Sequence, residues 1–222
     1  SYADAAEKVL DALFERHNQV VLVGGSGMYI KALLQGVDEM PTITPELRLA
    51  LNQEFKEKGL DWLQNEVSTA DPEFYQQTDT QNHARLLRAL EVIRTTGKPF
   101  SHFRKGKPKQ LSFQVKEIGY EWSREALYQR CDLRVDQMMT QGLLEEVTTL
   151  ESYKHLQALR TVGYSELFSY LAGELTLPEA IELIKKNTRN YAKRQLTWFK
   201  NQHPEMQWFA PDVEVSSIIK WL

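Results

Sequence analysis

Cysteine is almost absent from this sequence, since Cys131 is the single one among 222 residues. One thiol excludes an internal disulfide and a zinc site built from several cysteines. It is typical of a reducing compartment, so we expect a cytoplasmic protein. Histidine is also scarce, and no metal-ligand spacing occurs among His17, His83, His102, His155 and His203. The sequence therefore predicts no zinc site, and we assign no metal ligand to it.

Long apolar runs and an excess of one charge are missing too. No apolar stretch approaches the roughly 20 residues that a membrane helix needs. The polar start, Ser1 to Asp4, does not resemble a signal peptide. We therefore expect no membrane partner. The 27 basic and 30 acidic residues give a net charge of −3, so nucleic-acid binding would require local clusters of lysine and arginine.

The first forty residues show the pattern of an α/β protein. Apolar residues over 3–16 recur at helical spacing. The continuous run Val20-Val21-Leu22-Val23 then ends at Gly24-Gly25, which is typical of a strand buried on both faces of a parallel sheet. A helix is predicted over 28–35. The fold class is therefore predicted to be α/β, with a parallel sheet at its core.

The rest of the chain predicts a helical insertion into that core. Residues 45–96 look helical, with breaks at Gly59 and at Asp71-Pro72, and 98–110 look like a loop. Residues 111–120 alternate as a strand does. Helices follow over 123–139 and 142–152, two more end near Gln202, and a last strand is predicted at 208–209. We predict three parts: 1–38 in the α/β core, 39–110 as the insertion, and 111–222 as the remaining core with C-terminal helices.

Five sequence blocks, in order, resemble the tRNA dimethylallyltransferase (tRNA isopentenyltransferase) family. The first is Val-Leu-Val-Gly-Gly-Ser-Gly-Met-Tyr-Ile-Lys-Ala-Leu-Leu at 21–34, where Ser26 stands in place of the family's usual threonine. The others lie at 85–99, 130–147, 162–164 and 191–199. One block alone would be weak evidence, but five in family order span nearly the whole chain.

The resemblance implies a P-loop NTPase-like core that is incomplete here. Members of the family begin with a glycine-rich phosphate loop and an aspartate general base. Neither is found, because Gly97-Lys98 and Gly106-Lys107 lack the preceding strand and the spaced glycine. We therefore expect that the chain starts after that region and is inactive alone. Mg²⁺ is implied by a diphosphate substrate, with most of its ligands in the missing part.

The reaction implied by the resemblance moves a dimethylallyl group from dimethylallyl diphosphate to tRNA. The acceptor is the exocyclic amine of the adenosine 3′ of the anticodon, so the partner is the anticodon stem-loop. Such an amine needs a base to take its proton, and the leaving diphosphate needs cations. The adenine must also leave its stack to be reached.

Arg130 and Arg134 are the first candidates for catalysis. They lie four residues apart on one helix face, and each guanidinium can hold two oxygens of a diphosphate. The resemblance associates the position of Arg134 with the diphosphate. The alternative is a solvated face on which they pair with Asp132 or Asp136.

Ser26 is the third catalytic candidate, and Gly24 and Gly25 are predicted to line a channel or turn. They follow the predicted strand at its carboxyl end, where α/β proteins bind ligands. The alternative is a tight turn in which Ser26 only caps the next helix.

The tRNA candidates lie in three places. Arg85 and Arg88 share a helix face, although Arg88 could instead pair with Glu91. The turn from Arg160 to Tyr164 comes from the resemblance alone and comprises Arg160, Thr161, Val162, Gly163 and Tyr164. The helix before Gln202 carries a basic face with no acid between Lys185 and Lys200, which favours RNA binding; its candidates are Arg189, Lys193 and Arg194.

Two other functions remain open from the sequence. A P-loop small-molecule kinase would also carry lid arginines and a helical insertion. A non-catalytic RNA-binding module would use the same basic surfaces without turnover. In each case we expect a monomer.

Overall fold

The computed structural model describes residues 2–104, 106 and 109–221, and over these it is mostly helical. The helices are α1 Tyr2–Phe14, α2 Gly27–Gln35, α3 Pro45–Ala70, α4 Pro72–Gln77, α5 His83–Thr96, α6 Arg124–Thr140, α7 Leu143–Thr149, α8 Tyr164–Leu171, α9 Leu177–Gln202 and α10 Val215–Trp221. The strands are β1 Ile118–Tyr120 and β2 Gln207–Phe209. No helix in this described part is long and apolar enough to cross a membrane.

Side-chain caps set four helix starts, of which those after Thr44, Asp71 and Ser123 were predicted from the sequence. The start of α5 was not predicted, because the helices α4 and α5 are separated by a break at 78–82. Thr44, Asp71, Asn82 and Ser123 each accept a hydrogen bond from the backbone N–H three residues later, which satisfies one otherwise unpaired donor. The predicted breaks are confirmed. Gly59 has a φ of 78° inside α3, a conformation that favours glycine, and α3 ends at Asp71-Pro72. The predicted loop holds one 3-10 turn, Ser101–Phe103; Lys105, Lys107 and Pro108 lie outside the described residues.

A two-stranded parallel sheet joins the ends of the second half of the chain. Ile118 pairs with Gln207, and Tyr120 pairs with Phe209. The predicted last strand is confirmed. The strand predicted over 111–120 is confirmed only at its last three residues. Helices α6 to α9 form the connection between β1 and β2, as a parallel crossover requires.

The buried strand predicted at 20–23 is wrong in this structure. No described segment pairs with Val20-Val21-Leu22-Val23, and Val21 and Val23 are 84% and 88% exposed. A β-branched run has the propensity for a buried strand, but burial requires neighbours on both edges of that strand. The local sequence cannot supply those neighbours.

The chain divides into two compact units. The first comprises Ser1–Leu22 and Met28–Ser112, and the second comprises Val23–Gly27 and Phe113–Leu222. In the first unit α3 packs on α5, around Leu51, Leu63, Val67, Phe74, Leu86, Ala89 and Leu90. In the second, α9 packs on α6 and α8, around Val135, Leu143, Val147, Leu167, Ala180 and Ile184. The three-part division made from the sequence stays a prediction.

Two leucines of α3 test the core of the first unit. Leu63 is fully buried and Leu49 is 71% exposed. We expect Leu63→Ala to lower the free energy of unfolding by about 2–5 kcal/mol, since it removes buried methyl groups and leaves a cavity. Leu49→Ala should change it by less than about 0.5 kcal/mol. Urea unfolding followed by circular dichroism measures both, and equal losses would contradict the assigned packing.

Candidate active site and nucleic-acid interface

Two carboxylates of α6 are held by two cations of α9. The Asp132 carboxylate accepts from Arg189 Nη1 at 2.5 Å, and Asp136 Oδ1 lies 2.8 Å from Lys185 Nζ. The two aspartates are four residues apart, and so are the two cations, so both ion pairs run along one flank of the helix contact. The hydrogen bond to Asp136 raises the pKa of Lys185. Because these pairs join two helices, they fix α6 against α9.

Arg130 and Arg134 lie on the other flank of α6. Residues two apart point about 200° apart on a helix, so these arginines face away from the neighbouring aspartates. Within the described residues neither guanidinium has a carboxylate partner. The alternative made from the sequence, pairing with Asp132 or Asp136, is therefore wrong. Two unpaired guanidinium groups on one face can bind an anion with several oxygens.

A cavity of about 480 Å³ opens beside these two arginines. It is lined by Leu127, Arg130, Cys131, Leu133, Arg134, Gln137 and Thr188. The Arg130 guanidinium stacks over the Trp122 ring at 4.3 Å, which restricts its orientation without neutralising its charge. Burial, followed by the charge of Asp132, raises the pKa of the Cys131 thiol, so this thiol stays protonated and weakly nucleophilic at neutral pH.

The Gly24-Gly25-Ser26 segment packs against α9. Gln195 Nε2 donates a hydrogen bond to the Gly25 carbonyl at 2.5 Å. A Cβ at Gly25 would overlap the Gln195 amide. A Cβ at Gly27 would likewise overlap the Trp198 ring. Gly27 is thus required by the close approach of a ring of α9, whereas a side chain at Gly25 would displace the Gln195 amide. The sequence did not predict this contact. Ser26 is exposed and directly precedes α2, and Gly24 is exposed as well.

A second cavity of about 480 Å³ lies along the C-terminal half of α9. It is lined by Asn190, Lys193, Arg194, Thr197, Trp198, Asn201 and Gln202. Lys193 and Arg194 are exposed, and neither has a carboxylate partner in the part of the chain that the structure describes. We call these two residues the α9 basic pair. The ring of Trp198 is shared between this cavity and the Gly24–Gly27 turn.

The rest of the basic face predicted on α9 is largely neutralised. Lys185 and Arg189 are paired with aspartates of α6, and Lys200 contacts Glu121. The sequence contains no acid between Lys185 and Lys200, but the neutralising carboxylates come from segments distant in the chain. The predicted tRNA contact by Arg189 stays a prediction. Its guanidinium group already donates a hydrogen bond to Asp132, and it lies 5.9 Å from the centre of the Tyr128 ring.

The turn over 160–164 is held by a buried carboxylate. Gly163 has a φ of 98°, which favours glycine, and its N–H donates to Glu166 Oε2 at 2.8 Å. Tyr164 donates its hydroxyl to Glu146, and this hydrogen bond raises the pKa of Tyr164. Arg160 and Thr161 are exposed, Val162 is half-buried, and Gly163 is buried. The turn therefore presents its first two side chains to solvent.

Arg85 and Arg88 belong to the first compact unit. They differ in whether an acid pairs with their guanidinium group. The buried Glu91 carboxylate accepts from Arg48 Nε at 2.8 Å and from Arg88 Nη1 at 3.0 Å. The sequence-based alternative, an Arg88–Glu91 pair, is thus present. Arg85 is exposed and has no acid partner among the described side chains. Of the two, Arg85 is the one free to contact a phosphate.

Comparison with known proteins shows the family to which the chain belongs. The sequence matches the IPP transferase family over residues 1–202. It is 47% identical over 213 residues to the tRNA dimethylallyltransferase of Christiangramia forsetii, a match that covers 96% of the chain and 70% of that protein. It is 45% identical over 221 residues to tRNA dimethylallyltransferase 1 of Bacteroides thetaiotaomicron, covering 100% and 71%.

Solved structures agree with the sequence relatives. The fold is similar to that of the tRNA isopentenylpyrophosphate transferase of Bacillus halodurans, with a TM-score of 0.62 and 32% identity over 99% of this chain and 69% of that one. It is also similar to a eukaryotic dimethylallyltransferase acting on tRNA, with a TM-score of 0.66 and 25% identity over 89% and 51%. The chain belongs to the tRNA dimethylallyltransferase family of prenyltransferases.

Four side chains that hold the candidate site residues in place were not predicted from the sequence. Trp122 orients Arg130, Gln195 holds the Gly25 carbonyl, and Glu166 and Asn187 hold the 160–164 turn. Gln195 lies inside a block that resembles the family, so its position carried a signal. Nothing local marks the other three, because their partners lie elsewhere in the chain.

The Glu91 cluster predicts a pH-dependent stability. Burial raises the pKa of Glu91, but the hydrogen bonds from Arg48 and Arg88 outweigh it and hold this pKa below its usual value. A carboxyl group with a lowered folded-state pKa stabilises the fold above its unfolded pKa, and this contribution is lost as the pH falls through the folded value. Glu91→Gln should therefore cost about 1–3 kcal/mol at neutral pH, and this cost should shrink below about pH 4.

Chemical unfolding of wild type and variant at several pH values measures that difference. Glu54→Gln is the matched control, because Glu54 pairs with Lys58 on the exposed side of α3; its cost should be about 0.3–0.5 kcal/mol. A Glu91→Gln cost that is constant from neutral to acid pH would contradict the assigned ion pairs.

Proposed function

We propose that this protein transfers a dimethylallyl group to tRNA. The support is membership of a family whose relatives carry the name tRNA dimethylallyltransferase. Within that activity, dimethylallyl diphosphate is the proposed donor. The exocyclic amine of the adenosine 3′ of the anticodon is the proposed acceptor. The single structural observation that carries the assignment is the pair Arg130 and Arg134, which border a cavity while the nearby aspartates are engaged elsewhere.

The proposed chemistry places developing charge next to these arginines. The amine nitrogen forms a bond to C1 of the dimethylallyl group while the bond from C1 to the diphosphate oxygen breaks. The electron pair leaves with the diphosphate, and the amine proton passes to a general base. Guanidinium groups that already face the cavity stabilise the departing oxygens without reorganising. Among the described residues, no acid pairs with them and competes for their charge.

The RNA is proposed to lie against surfaces whose cations have no acid partner in the described part of the chain. In the second unit these cations are the α9 basic pair and Arg160, which is exposed beside Thr161; in the first unit the cation is Arg85. Contacts from such side chains to phosphates position an RNA, and the unstacked loop bases supply sequence specificity. Ser26 is next to Gly27, which packs against the Trp198 ring. We propose that Ser26 lies near the reacting adenine.

The finer fold assignment is also a proposal. β1 and β2 pair in parallel, as in a P-loop NTPase-like sheet, and the exposed β-branched run at 20–23 has the composition of a further strand. Mg²⁺ would neutralise the diphosphate, but the described residues hold no group of three or more acids, histidines or cysteines to bind it. We assign no step to this ion.

Three further expectations remain proposals. We expect the protein to be cytoplasmic and monomeric, and we expect this chain alone to be inactive.

The other two functions fit less well. A small-molecule kinase finds no support among the relatives, which are named for action on tRNA. An RNA-binding module without catalysis would use the α9 basic pair in the same way. RNA affinity therefore does not distinguish it from a prenyltransferase, but turnover by the full-length enzyme does.

Arg134→Ala tests the catalytic assignment. In the full-length enzyme we expect prenyl transfer to slow by about 10²–10³-fold, the usual cost of removing one group that stabilises developing negative charge. The affinity for tRNA should stay nearly unchanged. Arg134→Lys keeps the charge but loses the two-pronged contact, so its rate should be intermediate. Arg16→Ala, which removes an exposed arginine near α1, is the control; equal losses of rate and tRNA affinity would refute the role.

The α9 basic pair is tested by RNA affinity and its dependence on salt. We expect Lys193→Ala/Arg194→Ala to weaken binding of an anticodon stem-loop to this chain. The slope of log affinity against log salt should fall by about 1 for each phosphate that the variant no longer neutralises. Lys8→Ala/Lys56→Ala removes the same charge from exposed sites elsewhere. Filter binding at several salt concentrations distinguishes the two variants, and identical slopes would contradict the assignment.

A further inference from the structure

Glu166 is a buried carboxylate with no cation paired to it among the described residues. It is 5% exposed. Its Oε2 accepts from the Gly163 N–H at 2.8 Å, and its Oε1 accepts from Asn187 Nδ2 at 2.6 Å. Both donors are neutral. The bond from Gly163 is a helix cap, because Glu166 is the third residue of α8 and its carboxylate lies at the helix N-terminus. The bond from Asn187 is not needed for that cap, and it joins the same carboxylate to α9.

The two hydrogen bonds connect two surfaces that the proposed function assigns to RNA. Gly163 belongs to the turn that exposes Arg160 and Thr161, while Asn187 lies in α9, about two helical turns before the α9 basic pair. Both segments lie in the same compact unit. The carboxylate thus ties the backbone of the turn to a fixed point on the helix.

We propose that Glu166 and Asn187 are positioning residues that set the 160–164 turn on α9, so that the turn and the α9 basic pair contact one RNA together. This inference rests on the proposed function. Neither residue touches the substrate. Two surfaces held in a fixed geometry bind one ligand more tightly than two that must be ordered on binding, because the ordering cost has already been met.

The direction of the donors allows a reciprocal exchange. Asn187→Asp places a second carboxylate against Glu166 and removes the donor, so it breaks their hydrogen bond. Glu166→Gln alone keeps both hydrogen bonds, because the Asn187 amide can turn its Oδ1 toward the new NH₂; it is therefore a control. In the double variant, the introduced glutamine accepts from Gly163 and donates to the introduced aspartate, so both hydrogen bonds are restored. This double substitution is therefore a rescue of Asn187→Asp.

The experiment measures stem-loop affinity and the thermal midpoint for wild type, Glu166→Gln, Asn187→Asp and the double variant. We expect Asn187→Asp to weaken binding about tenfold, which corresponds to about 1.4 kcal/mol. Glu166→Gln and the double variant should both bind within about threefold of wild type. Coupling of this size is usual for two groups in contact. In the full-length enzyme, Asn187→Asp should raise KM for tRNA and leave KM for the prenyl donor unchanged.

Different results overturn different statements. A folded wild-type chain that does not bind the stem-loop would overturn the proposed function and this inference with it. Wild-type binding with undiminished affinity in folded Asn187→Asp would overturn the inference alone. Weak binding by a stably folded double variant would do the same. Where Asn187→Asp fails to fold, Asn187→Ala, which removes the donor, takes its place in the same comparison, and its unchanged affinity would overturn the inference.

Discussion

The ion pairs between α6 and α9 are the interaction on which the site depends. Arg189 and Lys185 pair with Asp132 and Asp136, so these two aspartates of α6 are neutralised by cations of α9. Without these cations, the two aspartates would be uncompensated charges within about one helical turn of Arg134. Half-buried pairs of this kind contribute modestly to stability. Their larger effect is to fix α6 against α9 on one flank, while the two arginines face the other flank.

Helix α9 organises the rest of the second unit. Its side chains contact four other segments: Asn187 holds Glu166 of α8, Gln195 holds the Gly25 carbonyl, Lys200 contacts Glu121, and the capping His203 lies 2.6 Å from Glu117. The predicted site segments of this unit therefore share one helix as their packing partner.

Much of the fold could be predicted from local signals. The helix starts after Thr44, Asp71 and Ser123, the break at Gly59 and the last strand at 208–209 lie where the pattern predicts them. The break at 78–82, before α5, was not predicted. Capping and left-handed glycine conformations depend on residues within one turn, so the sequence contains the whole interaction. The strand at 20–23 failed for the opposite reason, since sheet burial depends on segments that are distant in the chain.

In the candidate site, too, local features could be predicted from the sequence and contacts between distant segments could not. The sequence by itself determined the family, through five ordered blocks, and it determined which arginines share a helix face, because helical periodicity follows from spacing alone. Tertiary structure alone decided which cations are free. It paired Arg189, Lys185 and Lys200 with acids that are distant in the chain. Within the described residues, four candidate cations of α6 and α9 have no acid partner: Arg130, Arg134, Lys193 and Arg194. The physical reason is that the availability of a charge depends on every charge packed near it, and chain order does not encode those distances.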